Sequence, residues 1–310
     1  MGAAAAGKAG AENFPVALRL LPSRYRGHLA ALYGFARSAD DMGDEAPAAQ
    51  RLALLDELEA DLGRLYRMLA GGGLAGPGVA GGGVTGEGVT GPGVTGGAPA
   101  GPDGDGPRLA VVRALAPTVA ACAIPAQPFL DLIQANRQDQ VVSRYPAFSD
   151  LLAYCRLSAN PVGRVVLYIF GAATPEREAL SDKVCTALQL AEHWQDVAED
   201  LRAGRIYLPA EDMDRFGCSE RDLAGPAAGP GVRALIAFEV ERARALLDEG
   251  APIVSTLAGA ARAAVAGYVA GGRAALAAIA ASGHAVLCAP PRPGKGRIAA
   301  ELVRAYATGR

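Results

Sequence analysis

Apolar residues recur every three or four positions along most of the chain, while the strict alternation typical of half-buried strands is essentially absent. This pattern predicts an all-α protein. The candidate helices cover residues 23–44, 48–70, 108–121, 126–138, 148–156, 160–171, 177–203, 231–249, 251–268, 272–285 and 296–307. We expect the 310 residues to form a single all-α domain, a helical bundle around a central cavity.

Two acidic motifs interrupt this pattern, and each carries aspartates four residues apart. In the first motif, one narrow stripe of a predicted helix carries Tyr33, Arg37, Asp40 and Asp44. The carboxylates of Asp40 and Asp44 then point the same way, about one turn apart, where a divalent cation can bridge them. Arg37 can donate a forked pair of hydrogen bonds to phosphate oxygens. Its alternative is a salt bridge with Asp41.

The second motif repeats the arrangement within residues 177–203. Its polar stripe consists of Gln189, Glu192, His193, Asp196 and Asp200. Apolar side chains cover much of the remaining circumference, so we expect a buried helix whose acidic stripe faces a polar cavity. Metal ions with an anionic ligand would offset the desolvation of these carboxylates. The alternative for either motif is a solvated helix face, and for His193 it is helix packing.

Composition is that of a globular protein with a large core, since 51% of the residues are hydrophobic and 20% are charged. The net charge of −2 gives no electrostatic reason to expect nucleic-acid binding. Five scattered cysteines without CxxC spacing predict buried thiols in a reducing compartment. The sequence predicts neither a secretory signal nor a confident membrane span. A cytoplasmic protein is expected, and a peripheral contact with the inner membrane face stays open.

Residues 71–106 depart from the helical pattern. Within them GVAGG, GVTGE, GVTGP and GVTGG follow one another with a period of five. Glycine at this density removes packing side chains and raises the entropy lost on ordering, which predicts a flexible, low-complexity surface insertion. Loop closure depends only logarithmically on length, so we expect the insertion to be dispensable for chemistry. An elastin-like or partner-binding role is the alternative.

Three motifs together resemble the squalene/phytoene synthase family. They are YGFARSADDMGD at residues 33–44, YCRLSANPVG at residues 154–163 and QLAEHWQDVAEDLRAGRIYLP at residues 189–209. The resemblance extends over essentially the whole chain except residues 71–106. It implies a class I isoprenoid synthase-like helical bundle and an enzyme that processes isoprenoid diphosphates with Mg²⁺.

The resemblance also implies roles for individual residues. Mg²⁺ would lie between the two acidic motifs, with the ligands Asp40, Asp44, Asp196 and Asp200. The diphosphate and the carbocation would meet Arg37, Tyr33, Tyr154, Gln189, Glu192, Arg205 and Tyr207. Aromatic faces stabilise cations without acting as nucleophiles, which suits the tyrosines. Alternatives are a structural turn for Arg205 and Tyr207, and core packing for Tyr268, a further candidate.

Within the family, residues 12–22, 154–171 and 194–196 most resemble hydroxysqualene synthases of the hopanoid pathway. This resemblance implies that presqualene diphosphate ionises and rearranges, that water captures the cation, and that pyrophosphate leaves without any reductant. The first alternative is a head-to-head prenyl transferase that makes presqualene diphosphate or phytoene from farnesyl or geranylgeranyl diphosphate. The second is a non-catalytic assembly protein on the same fold. The sequence sets no oligomeric state.

Two departures from the family pattern concern the diphosphate. Phytoene and presqualene diphosphate synthases usually carry a Lys-Ser-Phe type element where this chain has Glu12, Asn13 and Phe14, so a cationic contact is missing there. Glu192 stands where the family commonly has asparagine. Its carboxylate is a candidate for binding magnesium or positioning water, or else a source of weaker diphosphate binding.

Overall fold

The computed structural model describes residues 21–71 and 106–309, and these residues are predominantly helical. No β-strand occurs in this part of the chain, where a single isolated bridge pairs Arg144 with Ile206. The prediction of an all-α protein is confirmed. The Gly-rich insertion falls almost entirely on residues outside the described ranges, so its flexibility stays a prediction.

The α-helices of the described residues are short to medium in length and follow one another closely. In chain order they are α1 (Ser23–Asp40), α2 (Arg51–Gly71), α3 (Ala110–Cys122), α4 (Gln127–Gln138), α5 (Phe148–Ser158), α6 (Asn160–Ile169), α7 (Pro175–Gln195), α8 (Val197–Arg202), α9 (Ala210–Arg215), α10 (Glu220–Leu223), α11 (Pro230–Gly250), α12 (Ile253–Thr256), α13 (Gly259–Ala281) and α14 (Lys295–Thr308). A π-helical turn, Asp41–Glu45, follows α1, and a 3₁₀ turn, Ala48–Gln50, precedes α2.

Most predicted helices lie within a few residues of the observed ones, but several regions differ. The short helices α9 and α10 were not predicted, and the helix expected over residues 251–268 is interrupted by the extended residues Leu257 and Ala258, between α12 and α13. The helix expected over residues 177–203 is interrupted at Asp196, whose backbone (φ −104°, ψ 15°) separates α7 from α8. Residues 269–271, expected to be a break, lie inside the continuous helix α13. These residues are buried, and tertiary packing overrides the weak helix propensity of glycine.

Helix α7 is central to the larger of two hydrophobic clusters. Its side chains Ala187, Leu190 and Trp194 are fully buried, as the apolar circumference predicts. Helix α6 packs closely against α7 at Gly163, the last residue of the second family motif. A Cβ atom there would lie 2.4 Å from both Cys185 Sγ and Ser181 Oγ. Glycine is therefore required for this helix contact.

The second cluster joins α1, α2, α3, α4 and α6 around Phe35 and Phe129, whose ring centroids are 5.0 Å apart. The first acidic motif thus belongs to one cluster and the second motif to the other. Among the described residues, one helix, α13, is long and apolar enough by length and composition to cross a membrane. Because 61% of its apolar window is buried inside the fold, α13 is accounted for as a core helix.

Helix α11 contains a buried carboxyl group that gives the fold a testable pH dependence. Glu239 has no exposed surface, and its Oε1 lies 3.2 Å from Arg242 Nη1, which also contacts Asp212 Oδ2 at 2.5 Å. Burial raises the pKa of the Glu239 carboxyl to about 8, against the opposing charge of Arg242. The folded protein therefore holds this proton more tightly than the unfolded chain, in which the pKa is about 4.3.

We expect Glu239→Gln to become progressively more stable than wild type as the pH rises from about 5 to 9. The contribution of protonated Glu239 is fully present below the unfolded-chain pKa and is lost as the pH rises through about 8, whereas glutamine does not titrate. Urea unfolding at pH 5, 7 and 9 measures the difference. Glu241→Gln, at an exposed position of the same helix, is the matched control. A Glu239→Gln difference that is independent of pH would contradict the assignment.

Candidate active site

The second acidic motif lies where α7 meets α8. Although the helix is interrupted at Asp196, the backbone N–H of Asp200 still donates to the carbonyl of Asp196 at 2.9 Å. The two aspartates therefore stay one turn apart. The other residues of the predicted stripe differ in solvent exposure: Glu192 is exposed, Gln189 is half-buried and His193 is buried.

The segment after α8 is held against the segment after α4. The backbone N–H of Ile206 donates to the Ser143 carbonyl, and that of Ala210 to the Tyr145 carbonyl, both at 2.9 Å. The N–H of Arg205 donates to the Asp200 carbonyl at 2.8 Å. GRIYLP is therefore a fixed structural turn, which is the alternative that the sequence left open. The same turn also gives Arg205 and Tyr207 defined positions.

Arg205 connects the two acidic motifs. Its Nη2 atom donates to Asp44 Oδ1 at 2.5 Å, while its backbone is bonded to Asp200. Two motifs separated by half of the sequence thus meet through one residue. These contacts bring the first motif, at Asp44, and the second, at Asp200, to the same region of the fold.

In the first motif, the side chain of Arg37 contacts neighbouring carboxylates. Its Nη2 lies 2.7 Å from Asp41 Oδ1 and 2.8 Å from Glu45 Oε1. The salt bridge with Asp41 is the alternative foreseen for this arginine. Asp40 accepts a hydrogen bond at 3.1 Å from Asn136 Nδ2, on α4. Tyr33 is half-buried on α1.

A further carboxyl group, Asp139, stands between the two motifs and was missed in the sequence. It follows the last residue of α4, and its Oδ2 accepts a hydrogen bond at 2.7 Å from the hydroxyl of Tyr154. Burial raises the pKa of Asp139 to about 6, the charges of Asp44 and Asp40 add to the shift, and Tyr154 and Arg205 oppose it. A lone acid at a helix end has no spacing signal that would have marked it.

Four aromatic rings from three parts of the chain form a cluster beside these acids. The aromatic cluster consists of Tyr145, Tyr154, His193 and Tyr207. His193 stacks on Tyr207 with centroids 3.7 Å apart, and Tyr154 lies 5.8 Å from Tyr207. Tyr145, which the sequence did not single out, stacks on Tyr207 at 5.7 Å. The cluster therefore packs four buried aromatic rings against one another beside the acidic motifs.

His193 is a packed, neutral member of the cluster. Burial, and secondarily the charge of Arg205, lowers the pKa of His193 to about 3. One ring nitrogen, Nε2, lies 3.2 Å from Gln189 Nε2, and the other, Nδ1, lies 4.0 Å from Asp200 Oδ2. The packing role foreseen for His193 agrees with this environment.

An apolar cavity opens along the same helix, about two turns before the acids. It is lined by Gly163, Val166, Leu167, Ser181, Val184, Cys185, Leu188, Ile253, Val265 and Tyr268. From Cys185 to His193, eight residues of α7 span about 12 Å. Tyr268 belongs to this apolar end and not to the acidic end. The cavity has a volume of only about 30 Å³, the space of about one water molecule, so it marks an apolar stretch beside α7 and is not itself a substrate pocket.

The acidic end brings together carboxyl groups, the ligand type that hard divalent cations prefer. In the described residues, no three His, Cys, Asp or Glu side chains converge closely enough to hold a metal by themselves. Mg²⁺ is ordinarily bound through one or two carboxylates together with substrate phosphates, so carboxylates on two facing sides fit it. The Oδ1 atom of Asp139 is buried and has no hydrogen-bond partner among the described residues.

The pKa values of the aspartates in the second motif also favour a bound cation. Burial, then the neighbouring carboxylates Asp196 and Glu199, raises the pKa of Asp200 to about 7. Burial, then Glu199, raises the pKa of Asp196, while Arg292 opposes the shift. Carboxyl groups whose charged forms are this disfavoured gain from a divalent cation.

Comparisons with known proteins agree with this geometry. A model of the squalene/phytoene synthase family matches residues 8–299. A hydroxysqualene synthase from Rhodopseudomonas palustris is 31% identical over 249 residues, covering 79% of this chain and 71% of that protein. A 15-cis-phytoene synthase from Synechococcus elongatus is 30% identical over 254 residues, covering 77% and 70%. The crystal structure of squalene synthase HpnC from Alicyclobacillus acidocaldarius has a TM-score of 0.72 at 39% identity, covering 88% and 89%.

The fold and the family match define an isoprenoid-processing enzyme, and the class I isoprenoid synthase-like fold is confirmed. The chain belongs to the squalene/phytoene synthase family.

Proposed function

We propose that the chain is a hydroxysqualene synthase that converts presqualene diphosphate and water into hydroxysqualene and pyrophosphate with Mg²⁺. The observation that carries this proposal is the Arg205–Asp44 contact, which joins the two acidic motifs beside an aromatic cluster. That arrangement provides for a departing anion on one side and a cation on the other. The similarity to the hydroxysqualene synthase from Rhodopseudomonas palustris supports the choice of reaction.

The acidic end would bind the diphosphate. We assign Mg²⁺ coordination to Asp40, Asp44, Asp196 and Asp200, with Glu192 exposed beside them. Bound Mg²⁺ would neutralise the charge that develops on the leaving oxygens. Arg37 and Arg205, now paired with carboxylates at 2.5–2.8 Å, are placed to exchange these partners for phosphate oxygens.

The aromatic cluster would hold the cation. When the carbon–oxygen bond to the diphosphate breaks, its electron pair leaves with pyrophosphate and a carbocation remains. The ring of Tyr154 would stabilise that positive charge without forming a bond to the cation, and Tyr207, which stacks on His193 and Tyr145, would support the Tyr154 ring. Gln189, whose side chain is hydrogen-bonded to His193, would hold the aromatic cluster in place. Tyr33 lies on α1, in the stripe that carries the first acidic motif. Addition of a water oxygen to the rearranged cation, with loss of one proton, completes the reaction.

The second candidate is head-to-head condensation of two prenyl diphosphates. The similarity to a 15-cis-phytoene synthase at 30% identity favours it, because this value is close to that of the hydroxysqualene synthase. Both reactions begin with the same ionisation, so the site geometry serves either.

We expect the purified protein to form hydroxysqualene from presqualene diphosphate and Mg²⁺ without a nicotinamide cofactor. In ¹⁸O-labelled water, the product alcohol should carry the label, because its oxygen comes from solvent and not from the diphosphate. Mass spectrometry of the product, with pyrophosphate release measured in parallel, tests both points.

Parallel incubations with farnesyl and geranylgeranyl diphosphates separate the candidates. Presqualene diphosphate or phytoene formed from them, with no turnover of presqualene diphosphate, would replace the proposed reaction by condensation. If no prenyl diphosphate releases pyrophosphate, the non-catalytic assembly protein is the better description.

A further inference from the structure

The first acidic motif lies on an irregular turn. Helix α1 ends at Asp40 and continues as the π-helical turn Asp41–Glu45, in which the N–H of Ala46 donates to the Asp41 carbonyl at 3.0 Å. A π-helical turn holds one residue more than an α-helical turn, so Asp40 and Asp44 do not keep the plain i, i+4 geometry. Such turns are frequent at functional sites and need support from neighbouring elements.

Helix α4 and the turn that follows it supply that support through two neutral amides, Asn136 on the helix and Gln140 in the turn. Asn136 Nδ2 donates to Asp40 Oδ1 and to the Leu132 carbonyl, both at 3.1 Å. Gln140 Nε2 donates to the Gly43 carbonyl and to the Asn136 carbonyl, both at 2.9 Å. One amide thus bonds a carboxylate of the motif, and the other bonds the backbone of the turn.

The contact at Gly43 shows how closely these parts fit. A Cβ atom on Gly43 would lie 2.4 Å from Asn136 Oδ1, so a side chain there would displace the Asn136 amide. Asn136 is buried with 6% of its surface exposed, whereas Asp40 is exposed. A buried, fixed donor therefore holds an exposed carboxylate, which is the arrangement that orients a ligand for a metal.

We propose that Asn136 and Gln140 are positioning residues, which set the Asp40 carboxylate and the π-helical turn in the geometry that binds a divalent cation. This inference rests on the proposed function, in which the acidic motifs bind Mg²⁺ with a diphosphate. Hydrogen-bonding partners of metal ligands typically change metal affinity about 10- to 100-fold. An amide suits this position because it orients the carboxylate without adding a charge that would compete with the cation.

The test uses Mn²⁺ as a spectroscopic probe, titrated by electron paramagnetic resonance into the full-length protein with pyrophosphate. Asn136→Leu, which keeps the size of the side chain and removes the donor, is expected to raise the Kd of Mn²⁺ about 10-fold. Gln140→Met removes the second amide, which bonds backbone carbonyls and not a carboxylate, and is expected to raise the Kd by roughly threefold. The matched control is Gln134→Met, at an exposed position of the same helix, and it should leave the Kd unchanged.

The possible results distinguish failure of the positioning role from failure of the proposed function. Wild-type affinity in a folded Asn136→Leu protein overturns the positioning role. If Asn136→Leu does not fold, Gln140→Met decides, and unchanged Mn²⁺ affinity in that variant overturns the role equally. If the wild-type protein itself binds no Mn²⁺ with pyrophosphate, the proposed magnesium-dependent function fails first.

Discussion

Asp40→Asn and Asp196→Asn are each expected to lower kcat/KM for presqualene diphosphate on the order of 10³-fold. Each substitution keeps the size of the side chain and removes one negative charge from one acidic motif. Neither residue takes part in the Arg205–Asp44 contact, so the loss reports on cation binding and not on that salt bridge. Pyrophosphate release under single-turnover conditions with saturating Mg²⁺ measures the effect.

A double variant that combines Asp40→Asn with Asp196→Asn tests whether the two motifs act together. If both motifs act on one diphosphate, they form a unit, and the double variant should lose little more activity than either single variant. Losses that multiply would place the two aspartates in independent roles. Asp214→Asn, an exposed aspartate on α9, is the matched control and should retain full activity. Normal activity after either single substitution would remove that motif from the site.

The periodicity of the sequence accounts for the fold and for much of the site. Apolar spacing records which face of a helix is buried, so the helices and the buried circumference around Trp194 were predictable. The acidic stripes were predictable for the same reason, because a polar line on an otherwise apolar helix has to face something polar. The burial of His193 also follows from its flanking residues.

Contacts between distant segments of the chain have no corresponding pattern in the sequence. Asp139 meets Tyr154 only because α4 and α5 fold back on each other, and Tyr145 joins the aromatic cluster through the turn after α8. The interruption at Asp196 and the π-helical turn after Asp40 are backbone irregularities held by tertiary packing, which helix propensity does not report. Arg205 and Asp44 were each identified from their motifs, whereas the salt bridge between them is evident only in the three-dimensional structure.

The aromatic cluster shows how structure changes a prediction made from sequence. The motif suggested that Tyr154 offers its ring face to a cation, and the structure adds a hydrogen bond of 2.7 Å from its hydroxyl to Asp139. The ring and the hydroxyl thus have separable tasks. The ring packs with Tyr207 in the aromatic cluster, and the hydroxyl bonds the cluster to Asp139, the carboxyl group between the two acidic motifs.

We therefore expect Tyr154→Leu to lower kcat on the order of 10²-fold and Tyr154→Phe about 10-fold. Phenylalanine keeps the cation–π surface, worth about 2 kcal/mol when desolvated, and loses only the hydroxyl bond, worth about 1.5 kcal/mol. Leucine loses both. Steady-state kinetics with presqualene diphosphate, with Tm measured for each variant, separates lost chemistry from lost stability.

Tyr66 offers a matched pair of controls, because its hydroxyl donates to the Ile124 carbonyl at 2.9 Å and its ring packs against the second cluster. Tyr66→Phe and Tyr66→Leu should lower Tm and leave kcat nearly unchanged. Equal activity of Tyr154→Leu and Tyr154→Phe would show that the ring face does not stabilise the cation. Full activity of Tyr154→Phe would show instead that the bond to Asp139 has no part in turnover, and the missed carboxyl group would then serve the acidic motifs alone.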